Sequence, residues 1–346
     1  MKGTVIALGE VQGKRAAAMI RDGVLDDFLV DAGEGAPPAP GAIFRAKGGR
    51  SLKGMGGALL DLPGGAKAYL RGNKGLKPGA PMLVQVTHIA EEGKAVPVTT
   101  RVLFKSKYAI VTPDAPGLNI SRQITEDEEL IRLHDLAEQG MEGADETLGL
   151  ILRSSCEGAT DDVIAEDIAA MRGLCEAVLA DLSGEPELLV DGADAWEVAW
   201  RDWPKADLFD DSDAAFDNHG VHELIDAALD PYVPLKGAGS MYIEPTRALV
   251  AVDVNTGGDF STASGLKANI ALARDLPRQL RVRGLAGQIT LDLAPMAKKD
   301  RRQFEHSLKA AFKPEGHDTI LAGWTPLGHF EIQKKRERVP IAEVLR

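Results

Sequence analysis

Asp253 and Asp292 each interrupt an otherwise apolar run, the first within Ala248-Leu249-Val250-Ala251-Val252-Asp253-Val254, the second within Gln288-Ile289-Thr290-Leu291-Asp292-Leu293. An ionised carboxylate withdrawn from water is costly unless it is paired, hydrogen-bonded or bound to a metal. Two acids at comparable strand positions are therefore candidate ligands. Asn255 lies two residues beyond Asp253, and strand alternation sends both to the same side. Two carboxylates and an amide make the all-oxygen set that suits Mg2+, which keeps several waters and pairs with phosphate. A second reading stands beside this one: Asp253 opens an Asx-turn into Asn255-Thr256-Gly257-Gly258, and Asp292 caps the loop that follows it. Three basic clusters surround the pair: Arg278, Arg281 and Arg283; Lys298, Lys299, Arg301 and Arg302; Lys334, Lys335, Arg336 and Arg338. They favour a metal-assisted phosphodiester site, where the ion activates water and stabilises charge on phosphate.

Other chemistries find less support. His219-Gly220-Val221-His222-Glu223 has an HxxH spacing without the HExxH pattern or a nearby third ligand. No Gly-x-Ser-x-Gly elbow is present, so nucleophilic serine hydrolysis has no signal. The stretch Gly48–Gly57 lacks the Gly-Lys-Ser/Thr ending of a phosphate loop and reads as a hairpin turn. The two cysteines, Cys156 and Cys175, match neither a zinc ribbon nor a CxxC redox pair and read as reduced core thiols.

The acids need elements to hold them. A hairpin over 241–254, a helix over about 265–283 and a strand over 288–293 form a crossover onto a parallel sheet, whose strand ends are where open α/β sheets bind ligands. A helix over about 299–312 and strands at 319–322 and 328–333 complete an α/β unit. Upstream, short apolar runs punctuated by glycines from 42 to 103 predict a small antiparallel barrel of OB type. The segment 207–218 reads as an exposed acidic stretch. The 346 residues suggest two or three domains. The net charge of −12 conceals two unlike parts: residues 1–235 carry 22 basic and 40 acidic side chains, residues 236–346 carry 18 and 12. Such asymmetry points to a polyanionic partner. Neither a signal peptide nor an apolar run of membrane-spanning length is visible, so the expectation is a soluble, cytoplasmic protein with no membrane partner.

The run Ile243-Glu244-Pro245-Thr246-Arg247-Ala248-Leu249-Val250-Ala251-Val252-Asp253-Val254-Asn255-Thr256-Gly257 resembles the "IE-x-T-x-AL-x-x-IDVNTG" stretch of the ribonuclease E/G family. So do Leu266-Lys267-Ala268-Asn269, Arg278 to Gly287, and Ile289-Thr290-Leu291-Asp292. Gly54 to Asp61, Val98-Thr99-Thr100, Ile120-Ser121-Arg122 and Leu152-Arg153-Ser154 follow the family in order. The resemblance implies a multi-subdomain α/β (α+β) chain: a ribonuclease-H-like subdomain from 1–37 and 185–236, an OB-type RNA-binding barrel at 38–103, a 5′-sensor at 104–184 and a deoxyribonuclease-I-like catalytic subdomain at 237–346. It implies a Mg2+-dependent endoribonuclease of RNA processing or decay, with Mn2+ as an alternative ion. Asp253 and Asp292 would hold the metal and Asn255 would orient the cluster. Water activated there would attack phosphorus in line on single-stranded RNA, leaving 5′-phosphate and 3′-hydroxyl ends. Arg153 and Ser154 match the pair that grips a 5′-monophosphate. Tyr69, Lys94, Arg122, Arg278, Arg281, Lys334 and Arg336 are the expected RNA contacts.

The chain also departs from the family pattern. It ends at Arg346, where relatives would continue into a Cys-Pro-x-Cys link, and it holds no CxxC. No structural zinc and no zinc-linked oligomer is expected, which leaves other homo-oligomers open. Pro295 replaces the second aspartate of "DFIDM", Leu59 a barrel aromatic, and Leu118-Asn119 the sensor's glycine pair. Pro277 inside the crossover helix predicts a kink. These departures support an alternative: an RNA-binding or regulatory protein of the same fold with weak or lost catalysis.

Overall fold

The structure, a computed structural model, describes residues 2–33, 35–72, 76–91, 93–259, 261, 263–316 and 319–345. The chain divides into two compact units, Met1–Gly35 with Ala206–Arg346, and Ala36–Lys205.

The first unit opens with an antiparallel meander of β1 (Thr4–Val11), β2 (Lys14–Arg21) and β3 (Val24–Val30). Its two-residue turns, Gln12-Gly13 and Asp22-Gly23, place both central residues at positive φ, the mirror-image turn whose twist matches that of paired strands.

The second unit begins with β4 (Ile43–Leu52), β5 (Gly57–Asp61), β6 (Lys67–Arg71), β7 (Pro81–Val86) and β8 (Val96–Thr99). These run in the order β4-β5-β6-β8-β7, and β7 pairs back onto β4, closing a five-stranded barrel. Ala42, Phe44, Ala46, Leu60, Ala68, Val84, Val96 and Val98 fill it. The glycine stretch is a bulged hairpin of this barrel. At Gly49 a side chain would lie 2.5 Å from the Leu59 carbonyl oxygen, so backbone approach, rather than phosphate binding, uses the glycine there. A four-stranded sheet follows, from β9 (Phe104–Lys105), β10 (Ala109–Thr112), β11 (Gly117–Ile120) and β12 (Gly149–Leu152), with α1 (Asp127–Gly140) and α2 (Asp161–Ala180) packed against it. Then β13 (Glu187–Val190) pairs with β4, and α3 (Ala195–Asp202) starts at a reciprocal capping box of Asp194 and Glu197. Residues 185–205 thus lie in the Ala36–Lys205 unit, whereas the family resemblance groups 185–236 with 1–37.

The chain returns to the first unit through β14 (Leu208–Asp210), parallel to β1, then α4 (Ala215–Asn218) and α5 (Val221–Leu229). The acidic 207–218 segment is therefore not simply an exposed stretch. It supplies a strand and buries Phe216, whose ring lies where Gly9 has no side chain.

The last part of the unit comprises β15 (Tyr232–Leu235), β16 (Gly239–Pro245), β17 (Val250–Asn255), α6 (Ser264–Arg283), β18 (Gly287–Asp292), α7 (Arg301–Phe312), β19 (Thr319–Trp324), β20 (Phe330–Lys334) and α8 (Ile341–Val344). Its sheet runs β15-β16-β17-β18-β20-β19, with β17 and β18 parallel and the other neighbours antiparallel. Met241, Ile243, Val250, Val252, Val254, Ile289, Leu291, Phe330 and Ile332 share one core with Leu272, Leu276, Leu280, Phe304 and Leu308 of α6 and α7. The alternate positions Tyr242, Glu244, Asp253, Asn255, Gln288 and Asp292 are exposed. Burial of one face is what makes the strands alternate. The crossover helix runs through a buried Pro277 without interruption. Among the described residues no helix is long and apolar enough to cross a membrane.

Candidate active site

Parallel pairing of β17 with β18 sets Asp253 directly opposite Asp292. Both belong to the outward-facing alternates, and the side chain of Asp292 is 68% exposed. They are not buried charges needing rescue, as their apolar flanks suggest, but an adjacent acid pair in water. Asn255, on the same side, donates from Nδ2 to Asp253 Oδ2 at 2.8 Å. This holds the carboxylate plane.

The pair depends on the loops behind it. Gly239 allows β16 to approach β17 closely, because a Cβ there would lie 2.0 Å from the Asn255 carbonyl oxygen. Asn269, fully buried on α6, donates to the Ala294 carbonyl at 2.8 Å and accepts from its N–H at 3.0 Å. That clamp fixes the chain just past Asp292. Gly265 has a similar part, since a Cβ would come 1.9 Å from the Pro295 carbonyl oxygen.

Sequence reasoning missed His329. Leu291 pairs with Phe330 across β18 and β20, so His329 arrives beside Asp292, its Nδ1 3.3 Å from Oδ1. This is ion-pair range without hydrogen-bond geometry. Buried Nδ1 has no hydrogen-bond partner among the described residues. Nothing in the sequence flags a histidine one residue outside its strand; only the strand register does. Nearby, Arg301 lies over the Trp324 ring, 4.1 Å from its centroid, and Trp324 Nε1 donates to Glu305.

Several expected RNA contacts have internal duties. Arg278 binds Asp275 and the Leu25 carbonyl; Arg281 binds Asp26 and Glu315. Lys334 is 12% exposed and faces Glu315 at 3.6 Å, while the Arg336 guanidinium lies against Gly287. These guanidinium and ammonium groups anchor the crossover helix and the last strand. Lys298, Lys299 and Arg302, which follow β18 along the chain, are exposed.

In the other unit, Arg153 donates to the Ser106, Lys107 and Arg201 carbonyls and pairs with Asp202 at 2.7 Å. Asp202 also meets Lys105 and Arg201. Burial opposes its charge, but hydrogen bonds from Lys105 and Arg201 more than offset that and hold its carboxyl below the usual value. Ser154 is exposed at the start of a short 3-10 turn. Tyr69 lies over Gly57 and donates its hydroxyl to the Met55 carbonyl at 2.8 Å. Lys94 is exposed and bridges to Glu91, and Arg122 is exposed. His219 and His222 are engaged by Asp210 and Asp217, respectively.

A hard-oxygen acid pair open to solvent suits a divalent ion and a phosphate. The sequence pattern of the ribonuclease E/G family matches residues 104–210 and 204–337. Ribonuclease G of Salmonella typhimurium is 26% identical over 95% of this chain and 79% of its own length, and ribonuclease G of Escherichia coli K12 matches to the same extent. Ribonuclease E of Nostoc sp. is 28% identical over 78% of this chain and 45% of its own length. The chain belongs to the ribonuclease E/G family.

Proposed function

We propose that this endoribonuclease cleaves single-stranded RNA at the exposed sheet face, with Mg2+ held by Asp253 and Asp292, and acts in RNA processing or decay in the cytoplasm. Mn2+ would serve in place of Mg2+. The observation that carries this reading is the cross-strand register of the two acids, with Asn255 bound to one of them. The donor set fits a hard cation: both ligands are carboxylates open to water, and the orphaned Nδ1 of His329 faces Asp292. A bound Mg2+ would neutralise phosphate charge and lower the pKa of a water. Asn255 keeps Asp253 oriented, and the Asn269 clamp holds the strand end that carries Asp292. Exposed Lys298, Lys299 and Arg302 attract the RNA backbone. Net reaction adds one water to phosphorus and breaks the P–O3′ bond, so the 5′ fragment ends in a 3′-hydroxyl and the 3′ fragment begins with a 5′-phosphate.

In this reading the Tyr69 and Lys94 face of the barrel holds RNA. Residues 104–184 read the 5′ end through Arg153 and Ser154, residues 1–35 with 206–236 form a ribonuclease-H-like body, and 237–346 is deoxyribonuclease-I-like. The test is a labelled single-stranded RNA incubated with protein in Mg2+, in EDTA, and with Asp253→Asn. Cleavage that needs Mg2+ and disappears in the variant is the expected result; persistent cleavage by Asp253→Asn would overturn the site. Binding without cleavage by the native chain would favour an RNA-binding protein of the same fold.

A further inference from the structure

Strand register extends the acid pair into a longer row. Tyr232 pairs with Tyr242, Tyr242 with Asp253, and Asp253 with Asp292, across four neighbouring strands. All four belong to the outward-facing alternates. Tyr232 is 44% and Tyr242 39% exposed. Large aromatics at such positions are unusual on an edge hairpin, where charged side chains normally discourage association. We infer that Tyr232 and Tyr242 form a stacking subsite for a single nucleobase of the RNA, next to the phosphate at the acid pair. This rests on the proposed placement of that pair at the reaction centre.

The shape of the pair decides how many bases it takes. The rings meet edge to face, centroids 5.4 Å apart and planes 65° apart. They present one ring face beside another ring's edge, a notch for one planar group rather than a platform for a continuous stack. Spacing decides which base. Strands lie about 4.8 Å apart, so Tyr242 stands one spacing from Asp253, and a base on it belongs to a nucleotide adjoining the phosphate at the acids. Surroundings decide against a protein partner. Neighbours on the same face are polar: Ser240, Glu244, Asn255 and Thr290. Two rings and Pro234 make a patch far smaller than the roughly 1,000 Å² of a specific protein interface. Lys236, exposed in the turn of the same hairpin, adds a cation for the backbone.

The test uses the full chain carrying Asp253→Asn, so that RNA stays intact, and reads the fluorescence anisotropy of a labelled single-stranded RNA in Mg2+. The RNA contains the cleavage site mapped with the native protein. Tyr242→Ala is expected to weaken binding by about 5- to 140-fold, the range of one lost base stack, and Tyr242→Phe by less than about twofold, because the π face remains. An abasic nucleotide on one side of the cleavage site should cost the parent the same factor and cost Tyr242→Ala nothing more. Equal abasic losses in both proteins, or Tyr242→Ala binding within twofold of the parent, would overturn the subsite. Thermal melting that matches the parent shows the variants are folded. Failure of the underlying site is seen separately, as continued cleavage by Asp253→Asn.

Discussion

Exposure at the acid pair sets what its replacement can do. Asp253 and Asp292 stand in water on a sheet whose opposite face holds the core, so neither supports the fold. Asp253→Asn and Asp292→Asn are expected to leave stability within about 0.5 kcal/mol and to abolish Mg2+-dependent cleavage. Thermal melting and RNA cleavage on the same samples check this, and a large loss of stability would make the acids structural. His329 Nδ1 lies 3.3 Å from Asp292 Oδ1, so the role expected of it is to position that carboxylate. His329→Ala should raise the Mg2+ concentration for half-maximal cleavage by about tenfold, the usual scale for a residue that orients a ligand. An unchanged Mg2+ titration would remove it from the site.

At the scale of elements, the crossover helix does more than link two strands. Its Asn269 satisfies both backbone groups of Ala294 inside the core, and Asn269→Ala leaves them buried without partners. The expected cost is about 2–3 kcal/mol, read as a lower denaturant midpoint, with cleavage reduced at temperatures where the chain is still folded. The buried cysteines offer a second check. Burial in the α2 layer pushes the thiols of Cys156 and Cys175 up to about 11. At pH 8 the thiolate is scarce and shielded, so both should resist alkylation in the folded protein and react once it is denatured. Rapid labelling of the native chain would contradict that packing. Strand periods, the crossover helix and its limits are legible in sequence because one-sided burial imposes alternation and helical spacing. The 207–218 stretch misleads because its acids surround the one ring, Phe216, that the fold buries.

For the molecule as a whole, folding redistributes the charge. Residues 236–346 have a surplus of cations, yet they fold into one unit with 1–35 and 206–235, which carry 4 basic and 14 acidic side chains. Asp26 and Asp27 take up Arg281 and Arg338, and Glu315, 7% exposed, takes up Arg281 as well. Arg281→Gln would take one cation from Asp26 and from the buried Glu315, which keep Arg21 and Lys334, and is expected to destabilise the fold by about 1–3 kcal/mol, while leaving the salt dependence of RNA affinity unchanged. Lys298→Gln with Lys299→Gln and Arg302→Gln should do the reverse: near-native melting, and a slope of log affinity against log salt shallower by about 2, at roughly 0.7 per phosphate contact on a single strand. If the triple variant keeps the native slope, those cations do not meet RNA.

The sequence by itself determined the family motif, the strand–helix–strand frame and the identity of the acid pair, because these rest on local period and on residues close along the chain. Only the tertiary structure decided that the acids are exposed, that His329 and two tyrosines join them, and that Arg278 and Arg281 are internal anchors. Strand register and long-range ion pairing set those facts. Residues such as Asp26 and Arg281, or Asp253 and Asp292, become neighbours only when distant segments pair, and alternation within one strand carries no information about its partner.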